Sequence, residues 1–254
     1  MPPLRASLAL VWAAVAACAM QEAKQQYQPA VELLRQGRFH EARQALEQVV
    51  AADPKSAPAW LALGVAHAAQ GDYPAAEPAF ARACALQSKL PDAGFYHGRA
   101  FYLVNRFSEA LAVLARLGPD RRRYRIEALC HDALGRWSDA ENLYRRAIDN
   151  DPGGENPRID YAVALARQGR GAESVPLLEA ALQQARQLPR AELEFGRILL
   201  QLNRLPEARA HLERAVSLAP NSAQAHLLLG RVYTRLGLLA EAAPHLEQGA
   251  QQPE

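Results

Sequence analysis

Cysteine is scarce in this chain of 254 residues, with three copies at Cys18, Cys84 and Cys130. No two of them form a CxxC pair, and no cluster of histidines lies beside them. Structural zinc sites and dithiol redox sites depend on such closely spaced ligands, so the sequence predicts neither kind of site. The odd number fits free buried thiols, or one cysteine with a separate fate.

A strong excess of one charge is also lacking, because 29 basic residues face 27 acidic ones and leave a formal net charge of +2. General binding to nucleic acid usually needs a strongly basic stripe, so no nucleic-acid partner is predicted. Lysine occurs only at Lys24, Lys55 and Lys89, and arginine supplies the other basic residues. Together with the abundance of alanine, this is typical of a GC-rich genome, which weakens any functional interpretation of the arginine excess.

Long hydrophobic runs are missing as well. The longest uncharged apolar run, ASLALVWAAVAACAM at 6–20, is shorter than the ~20 residues that a transmembrane helix needs. It follows Arg5, and its length matches the ~7–15-residue apolar core of a secretory signal peptide. Inside it, VAAC at 15–18 resembles the bacterial lipobox, in which cleavage precedes a cysteine that then carries diacylglycerol.

This resemblance implies that residues 1–17 are removed, that Cys18 is lipidated and that residues 18–22 form a short tether. Because Ala19 rather than aspartate follows Cys18, it favours an outer-membrane anchor that faces the periplasm. Two alternatives stay open. An ordinary signal peptide cleaved near Ala19 would leave a soluble periplasmic protein, and an apolar helix on a protein that is not exported would leave it in the cytoplasm.

A six-residue pattern returns seven times along the rest of the chain. It reads GRFHEA at 37–42, GDYPAA at 71–76, NRFSEA at 105–110, GRWSDA at 135–140, GRGAES at 169–174, NRLPEA at 203–208 and GLLAEA at 237–242. Successive copies are 34, 34, 30, 34, 34 and 34 residues apart. Self-similarity at a fixed period predicts stacked supersecondary units that bury a continuous core between neighbours.

The residues within each period resemble the tetratricopeptide repeat (TPR) family. That family shows W-x2-L-G-x2-Y, then glycine with an aromatic residue, then A-x3-F-x2-A and a proline. The second copy supplies Trp60, Leu63, Gly64, Gly71, Tyr73, Ala76, Phe80 and Ala83, and the fourth supplies Tyr124, Ala128, Gly135, Trp137, Ala140, Tyr144, Ala147 and Pro152.

The resemblance implies an all-α fold, a right-handed α-solenoid of about seven antiparallel helix-turn-helix repeats over residues 23–254. Repeats are expected to start near 23, 57, 91, 121, 155, 189 and 223. Because the third step is four residues short, about one helical turn, a kink at 118–122 is predicted, with a simple local truncation as the alternative.

Each recurring position has a mechanical reason. The glycine or asparagine that opens each six-residue copy can adopt the left-handed conformation that ends a helix. Small residues on the first helix of each pair should let the second helix approach closely: Ala30, Gly64, Gly98, Ala128, Ala162, Gly196 and Gly230. The repeated pattern is therefore interpreted as a hinge and packing device.

Catalytic chemistry is not indicated by the sequence. Seven histidines are scattered, and no nucleophile-base constellation, glycine-rich phosphate loop or metal-ligand spacing occurs. The repeats also take up nearly the whole chain and leave no room for a catalytic domain. The sequence therefore predicts a protein that is not an enzyme, with no cofactor, no bound metal and no small-molecule substrate.

The resemblance further implies a concave groove that is lined by the first helix of each pair. The candidate groove residues are Phe95, Arg99, Tyr102, Arg122, Arg125, Arg190, Arg197, Arg231 and Arg235. Arginine forks bind carboxylates in a bidentate manner, so the groove would accept an extended or acidic protein segment. The alternative is that these arginines are simply solvated.

These features together predict a non-catalytic scaffold or adaptor of the bacterial cell envelope that binds protein partners and is anchored to the membrane through Cys18. Two alternatives stay open: a soluble scaffold or assembly chaperone in the periplasm or cytoplasm, and a non-catalytic regulatory subunit of an enzyme encoded nearby.

Overall fold

The structure is a computed structural model that describes residues 27–250, apart from 88, 89, 91, 119, 120, 152–154 and 186. The signal segment 1–17, Cys18 and the tether 18–22 lie outside the described residues, as do two residues of the predicted kink at 118–122. Among the described helices, none combines the length and apolar character that a membrane crossing requires.

Every regular element in the described part is an α-helix, which confirms the predicted all-α solenoid class. The helices are α1 (27–35), α2 (Phe39–Ala52), α3 (Ala57–Ala69), α4 (Tyr73–Leu86), α5 (Ala93–Leu103), α6 (Phe107–Leu114), α7 (Arg121–Ala133), α8 (Trp137–Asn150), α9 (Glu155–Arg167), α10 (Gly171–Gln184), α11 (Pro189–Gln201), α12 (Leu205–Leu218), α13 (Ala223–Arg235) and α14 (Leu239–Ala250).

The chain forms two compact units, the first ending at Leu134 and the second beginning at Gly135. In the first unit, α3 pairs with α4 and α5 pairs with α6, and each pair packs on the next helix along the chain. In the second unit α9 pairs with α10, α11 with α12 and α13 with α14, and the first two of these pairs pack on the next helix along the chain. Within each unit, sequence neighbours are therefore also spatial neighbours.

The turn between paired helices has one conformation throughout. All seven predicted hinge residues have a positive φ, five of them glycine and two asparagine. At Asn105, with φ of 61°, the backbone N–H donates to the Tyr102 carbonyl, and the next N–H, of Arg106, donates to the Phe101 carbonyl. This is the Schellman arrangement, which satisfies carbonyls that the end of a helix leaves unpaired.

A charged contact accompanies the turn, and the sequence interpretation did not foresee it. In four copies an arginine follows the hinge residue and pairs with a glutamate three residues later: Arg38 with Glu41, Arg106 with Glu109, Arg170 with Glu173 and Arg204 with Glu207. Each glutamate lies in the first turn of the second helix, where its charge also suits the helix dipole. These pairs are exposed, so their main effect is to orient the turn.

The close approach of paired helices is confirmed at the predicted small positions. A Cβ atom built on Gly64 would lie 2.5 Å from Phe80 Cε1, and one built on Gly98 would lie 2.6 Å from Leu114 Cγ. At the equivalent position of the first pair, Ala30 is fully buried. At Gly64 and Gly98, the first helix of the pair therefore offers a notch that receives a large side chain of the second helix.

The core continues from pair to pair within each unit. In the second unit, one cluster of buried side chains includes Ile159, Leu178, Ile198, Leu212 and Leu229, which come from α9 to α13 in turn. In the first unit, buried clusters form around Leu46, Phe80 and Leu114. Stability in such an arrangement comes mainly from contacts between neighbouring repeats.

We predict that Gly64→Ala destabilises the protein by about 1–3 kcal/mol, the usual cost of overpacking a filled core. Phe80 cannot move away easily, because it is 1% exposed and stacks on Tyr96 with ring centroids 5.6 Å apart. Urea denaturation followed by circular dichroism measures the change.

Gly171→Ala is the matched control, since a Cβ there would lie 3.4 Å from the Leu202 side chain, an ordinary contact. It should be neutral or should stabilise by up to about 1 kcal/mol, because alanine favours helix. Equal losses in the two variants would contradict the close-approach explanation.

Candidate functional site

The clearest candidate surface lies on α5 in the first unit. Phe95, Arg99 and Tyr102 follow one another at helical spacing, so they share one face of this helix. The two rings are half-buried, while Arg99 is exposed and forms no ion pair or hydrogen bond within the described residues. The face therefore combines apolar surface with an unpaired guanidinium group.

Arg122 of α7 lies against the same face, but its charge is already used. Its guanidinium pairs with the Asp92 carboxylate at the start of α5 and lies over the Phe95 ring, 4.6 Å from the ring centroid. Arg125, one helical turn further along α7, is half-buried. The structure thus brings Phe95 and Arg122 together, with Arg122 serving to join α7 to α5.

The candidate arginines of the second unit are mostly paired within the chain. Arg190 forms an ion pair with the buried Asp160 and donates to Asn156 Oδ1 at 3.3 Å. Arg235 donates to the Leu200 carbonyl at 3.2 Å and to Asn203 Oδ1 at 2.8 Å. These arginines join neighbouring helices, a role that the sequence prediction did not assign to them.

Arg197 and Arg231 occupy equivalent positions in consecutive repeats but differ in their surroundings. Arg197 Nε donates to Glu194 Oε2 at 2.7 Å, one helical turn earlier in α11. Arg231 is exposed and has no polar partner within the described part of the chain. The sequence signal that separates them is the acidic residue three positions before Arg197, which Arg231 lacks.

Sequence reasoning also missed a polar junction between consecutive repeats. Glu77 of α4 contacts His97 of α5, with Oε1 and Nε2 3.1 Å apart, and its other oxygen lies 3.6 Å from Arg106 in the following turn. Glu77 therefore links its own repeat to two elements of the next one. All three groups bridge consecutive repeats, so the junction acts as a structural contact between them.

The same junction recurs 64 residues later. Tyr161 Oη donates to Glu141 Oε1 at 2.7 Å, and Arg170 donates to Glu141 Oε2 at 3.0 Å. Hydrogen bonds from Arg170 first and Tyr161 second hold the pKa of the Glu141 carboxyl below its usual value, despite partial burial. The 64-residue spacing can be read from the sequence. The contacts of Glu141 with Tyr161 and Arg170, however, depend on which faces of neighbouring helices meet.

A cleft of about 590 Å³ opens between α10, α11 and α12 in the second unit. At its base Glu192, 3% exposed, accepts from two groups of α12: His211 Nδ1 lies 2.6 Å from one oxygen and Arg214 Nε lies 3.2 Å from the other. Leu182 and Phe195 add apolar walls. Both oxygens of the buried Glu192 carboxylate therefore have a partner on α12. These contacts stabilise the packing of α11 on α12.

The described cysteines are poorly suited to reaction as nucleophiles. Burial, with a smaller contribution from the Glu127 charge, raises the pKa of the Cys130 thiol to about 12. Burial also raises the pKa of Cys84. The thiolate is the reactive form, so both groups stay protonated and inert at neutral pH. In the described ranges, histidine, cysteine, aspartate and glutamate form no group of three or more that could hold a metal ion.

We predict that Tyr161→Phe lowers the free energy of unfolding by about 1.5 kcal/mol, a typical contribution of a hydrogen bond to a charged group. Tyr161 is 7% exposed, so water cannot readily replace its hydroxyl. Tyr73→Phe is the control, because the half-buried Tyr73 makes no side-chain hydrogen bond within the described residues, and it should be neutral.

The effect of Tyr161→Phe should also depend on pH. The folded-state pKa of Glu141 is depressed, so its contribution to stability is present above the unfolded pKa of about 4.3 and is lost as pH falls through the lower folded value. Denaturation curves at neutral and acidic pH measure this. A pH-independent difference would contradict the role given to the carboxylate.

Comparison with known proteins agrees with this architecture. Two tetratricopeptide-repeat models match the chain, one over residues 27–91, 95–155 and 193–253 and another over 133–192 and 165–217. Among curated proteins, no sequence matches the chain.

Solved structures with the same fold are distant in sequence. A tetratricopeptide repeat protein from Parabacteroides merdae is 13% identical, with a TM-score of 0.73 over 92% of this chain and 94% of that one. A chain of the APC/C hetero-tetramer Cut9–Hcn1 is 15% identical, also with a TM-score of 0.73, over 87% of this chain and 44% of its own length.

A third similar structure is IFIT1 with Gppp-AAAA, which is 19% identical, with a TM-score of 0.64 over 89% of this chain and 59% of that one. The chain thus spans less than half of the Cut9–Hcn1 chain and about three fifths of IFIT1. At these identities the structures support the fold alone. Since the family models match well over half of its length, the chain belongs to the tetratricopeptide repeat family.

Proposed function

We propose that this chain is a non-catalytic scaffold that binds a segment of a partner protein on the α5 face of its first unit. TPR proteins are generally protein-interaction scaffolds, and the TPR fold is typically non-catalytic. The observation that carries the proposal is the unpaired Arg99 between the half-buried rings of Phe95 and Tyr102. A protein surface of this kind suits a peptide that is partly apolar and partly acidic.

The chemistry of this face favours an acidic residue flanked by apolar ones. A guanidinium group presents a planar fork of donors that matches a carboxylate. Aromatic side chains provide contact area at low cost in conformational entropy, which is why they are enriched at interfaces. Arg122 cannot offer the same interaction without breaking its pair with Asp92. In the second unit, Arg231 is the counterpart of Arg99 for a similar contact.

For the cellular role of this scaffold, we propose an exported adaptor of the bacterial cell envelope. It would be lipid-anchored through Cys18 and face the periplasm from the outer membrane. Support comes from the apolar run at 6–20 and the VAAC sequence that closes it. A soluble scaffold or assembly chaperone, or a regulatory subunit of a neighbouring enzyme, would use the same protein-binding face without the anchor. The absence of a nucleic-acid partner remains a prediction from charge alone, and the related fold of IFIT1 was solved with Gppp-AAAA.

We predict that Arg99→Glu weakens binding of a protein partner by at least about tenfold, equal to ~1.4 kcal/mol, because it replaces attraction to a carboxylate with repulsion. The partner is first trapped by a photo-reactive phenylalanine analogue at position 102, which leaves Arg99 in place, and is then identified. Its affinity for the natural chain and the variants is then measured by calorimetry.

Arg82→Glu is the matched control, since Arg82 is an exposed arginine on α4 that also has no described partner. It should leave the affinity unchanged, and a photo-reactive group at position 82 should not trap the same protein. If Arg99→Glu binds as well as the natural chain does, the α5 face is not the docking surface.

We predict that labelling with a radioactive or alkyne-tagged fatty acid modifies the natural chain in a bacterial host and is lost in Cys18→Ala. Cys84→Ala serves as the control and should be labelled like the natural chain, because Cys84 lies in the folded repeats. Labelling that survives Cys18→Ala would contradict the anchor, and a processed but unlabelled chain would favour the soluble periplasmic form.

A further inference from the structure

Two histidines meet inside the last helix pair of the second unit. His226 lies in the first turn of α13 and is 6% exposed, and His245 is half-buried on α14. Their Nδ1 atoms are 2.8 Å apart, and the rings stack with centroids separated by 5.1 Å. The direct polar contact between the two rings therefore joins the Nδ1 atom of one histidine to the Nδ1 atom of the other.

The protonation pattern of this pair follows from a third contact. His226 Nε2 lies 2.9 Å from the carbonyl oxygen of Pro220, and a carbonyl can only accept a hydrogen bond. His226 Nε2 must therefore carry the proton, which leaves Nδ1 of the neutral ring as an acceptor. It follows that His245 Nδ1 donates to His226 Nδ1, and that the free nitrogen of His245 is Nε2.

The stack extends to α12 through Tyr233. The Tyr233 ring lies 5.7 Å from His245, between ring centroids, and its hydroxyl donates to Glu213 Oε1 of α12 at 2.8 Å. The charge of Glu213 acts on His245, and Glu213 also lies 3.4 Å from Arg209. The pair therefore faces one carboxylate, which is itself shared with Tyr233 and Arg209.

Other charged groups on the surrounding helices are exposed or engaged elsewhere. On α13 and α14 these residues are exposed: Arg231, Arg235, Glu241 and Glu247. Helix α11 also packs on α13, and its charged residues pair with groups outside the stack: Arg190, Glu192, Glu194 and Arg197. Among the described residues, Glu213 is therefore the carboxylate that partly offsets a positive charge at the histidine pair.

Protonation has different consequences for the two rings. A proton on His245 Nε2 preserves the hydrogen bond between the rings, although burial first and the His226 charge second lower the pKa of His245, with Glu213 offsetting part of this. A proton on His226 Nδ1 would point directly at the N–H of His245. Since His226 is nearly inaccessible to water, the doubly protonated pair loses its hydrogen bond, and the repulsion between the two rings favours their separation.

Separation of the rings would move α14 as a whole. A Cβ on Gly230 of α13 would lie 2.7 Å from Leu246 Cγ, and one on Gly249 would lie 2.9 Å from the Leu227 backbone nitrogen. The helices are thus in contact on both sides of the pair and cannot slide to make room. An outward displacement of α14 would separate the two nitrogens and break both of these helix contacts.

We propose that His226 and His245 form a pH-sensitive latch that holds α14 on α13 when the pair is neutral and releases it when both rings are protonated. The apolar face of α13 around Gly230 then becomes accessible. This regulation is independent of the partner-binding face proposed for the first unit.

The direction of the pH effect follows from proton linkage. An unperturbed histidine has a pKa of about 6.5, and the folded-state pKa of His245 is lower. Between the two values the unfolded or opened state binds more protons than the closed state. The contribution of His245 to closure of α14 is therefore fully present above about pH 6.5 and weakens as the pH falls below that value.

The first test measures the tautomers of the two rings in the full natural chain. Long-range ¹H–¹⁵N correlation spectra at neutral pH should show His226 protonated at Nε2 and His245 protonated at Nδ1. This measurement does not depend on any variant. A neutral His226 that carries its proton on Nδ1 would overturn the proposal.

The second test measures hydrogen exchange of the α14 amides, corrected for the intrinsic pH dependence of exchange. Between about pH 7.5 and about pH 5.5, exchange should accelerate by about tenfold or more, because the opened state gains population as the pair takes up protons. In His245→Gln, which cannot take up a proton at this position, the acceleration should fall below about threefold. His40→Gln, at an exposed position on α2, should retain the full acceleration.

Two results of the exchange experiment would reject the latch. One is the absence of acceleration in the natural chain, and the other is equal acceleration in the natural chain and in His245→Gln. If His245→Gln loosens α14 at both pH values, the variant no longer serves for comparison. The tautomers and the acceleration measured in the natural chain then test the latch.

Discussion

The close approach of two helices at a small residue is the constraint on which the rest of this structure depends. At Gly64 and Gly98 there is no space for even one additional carbon atom, because Phe80 and Leu114 already fill the notch. Helices that lie this close need a short connection with a fixed direction. The hinge residue, with its positive φ, supplies this connection. Repetition of the helix pair and its hinge produces the 34-residue period of the sequence.

The hinge sequence has a second role, which arises from its arginine. In four copies this arginine pairs with the glutamate three residues later, and at Arg106 and Arg170 it also reaches a glutamate of the preceding repeat. One side chain thus orients its own turn and connects two repeats. A motif that looked like a purely steric device is also an electrostatic one, although at exposed sites each pair adds little stability by itself.

The fold could be predicted from the sequence because its determinants are local. Hinge conformation, small notch residues and helix periodicity all act within one repeat, so a 34-residue pattern contains them. The pairing of arginines could be predicted only in part. Arg190 and Asp160 are 30 residues apart, and Arg122 and Asp92 are also 30 apart, so these pairs depend on which faces of neighbouring helices meet. The histidine pair of α13 and α14 was missed for the same reason.

Three arginines share one register position on the first helices, Arg99, Arg197 and Arg231, and they show what decides whether an arginine can serve recognition. Arg197 has Glu194 one turn before it and is neutralised within its own helix. The other two have Tyr96 and Leu228 at that place and remain unpaired. An arginine that already holds a carboxylate presents little net charge to a partner. Recognition of an acidic partner, as proposed for the α5 face, would therefore depend less on the number of arginines than on which of them lack an acidic neighbour one helical turn away.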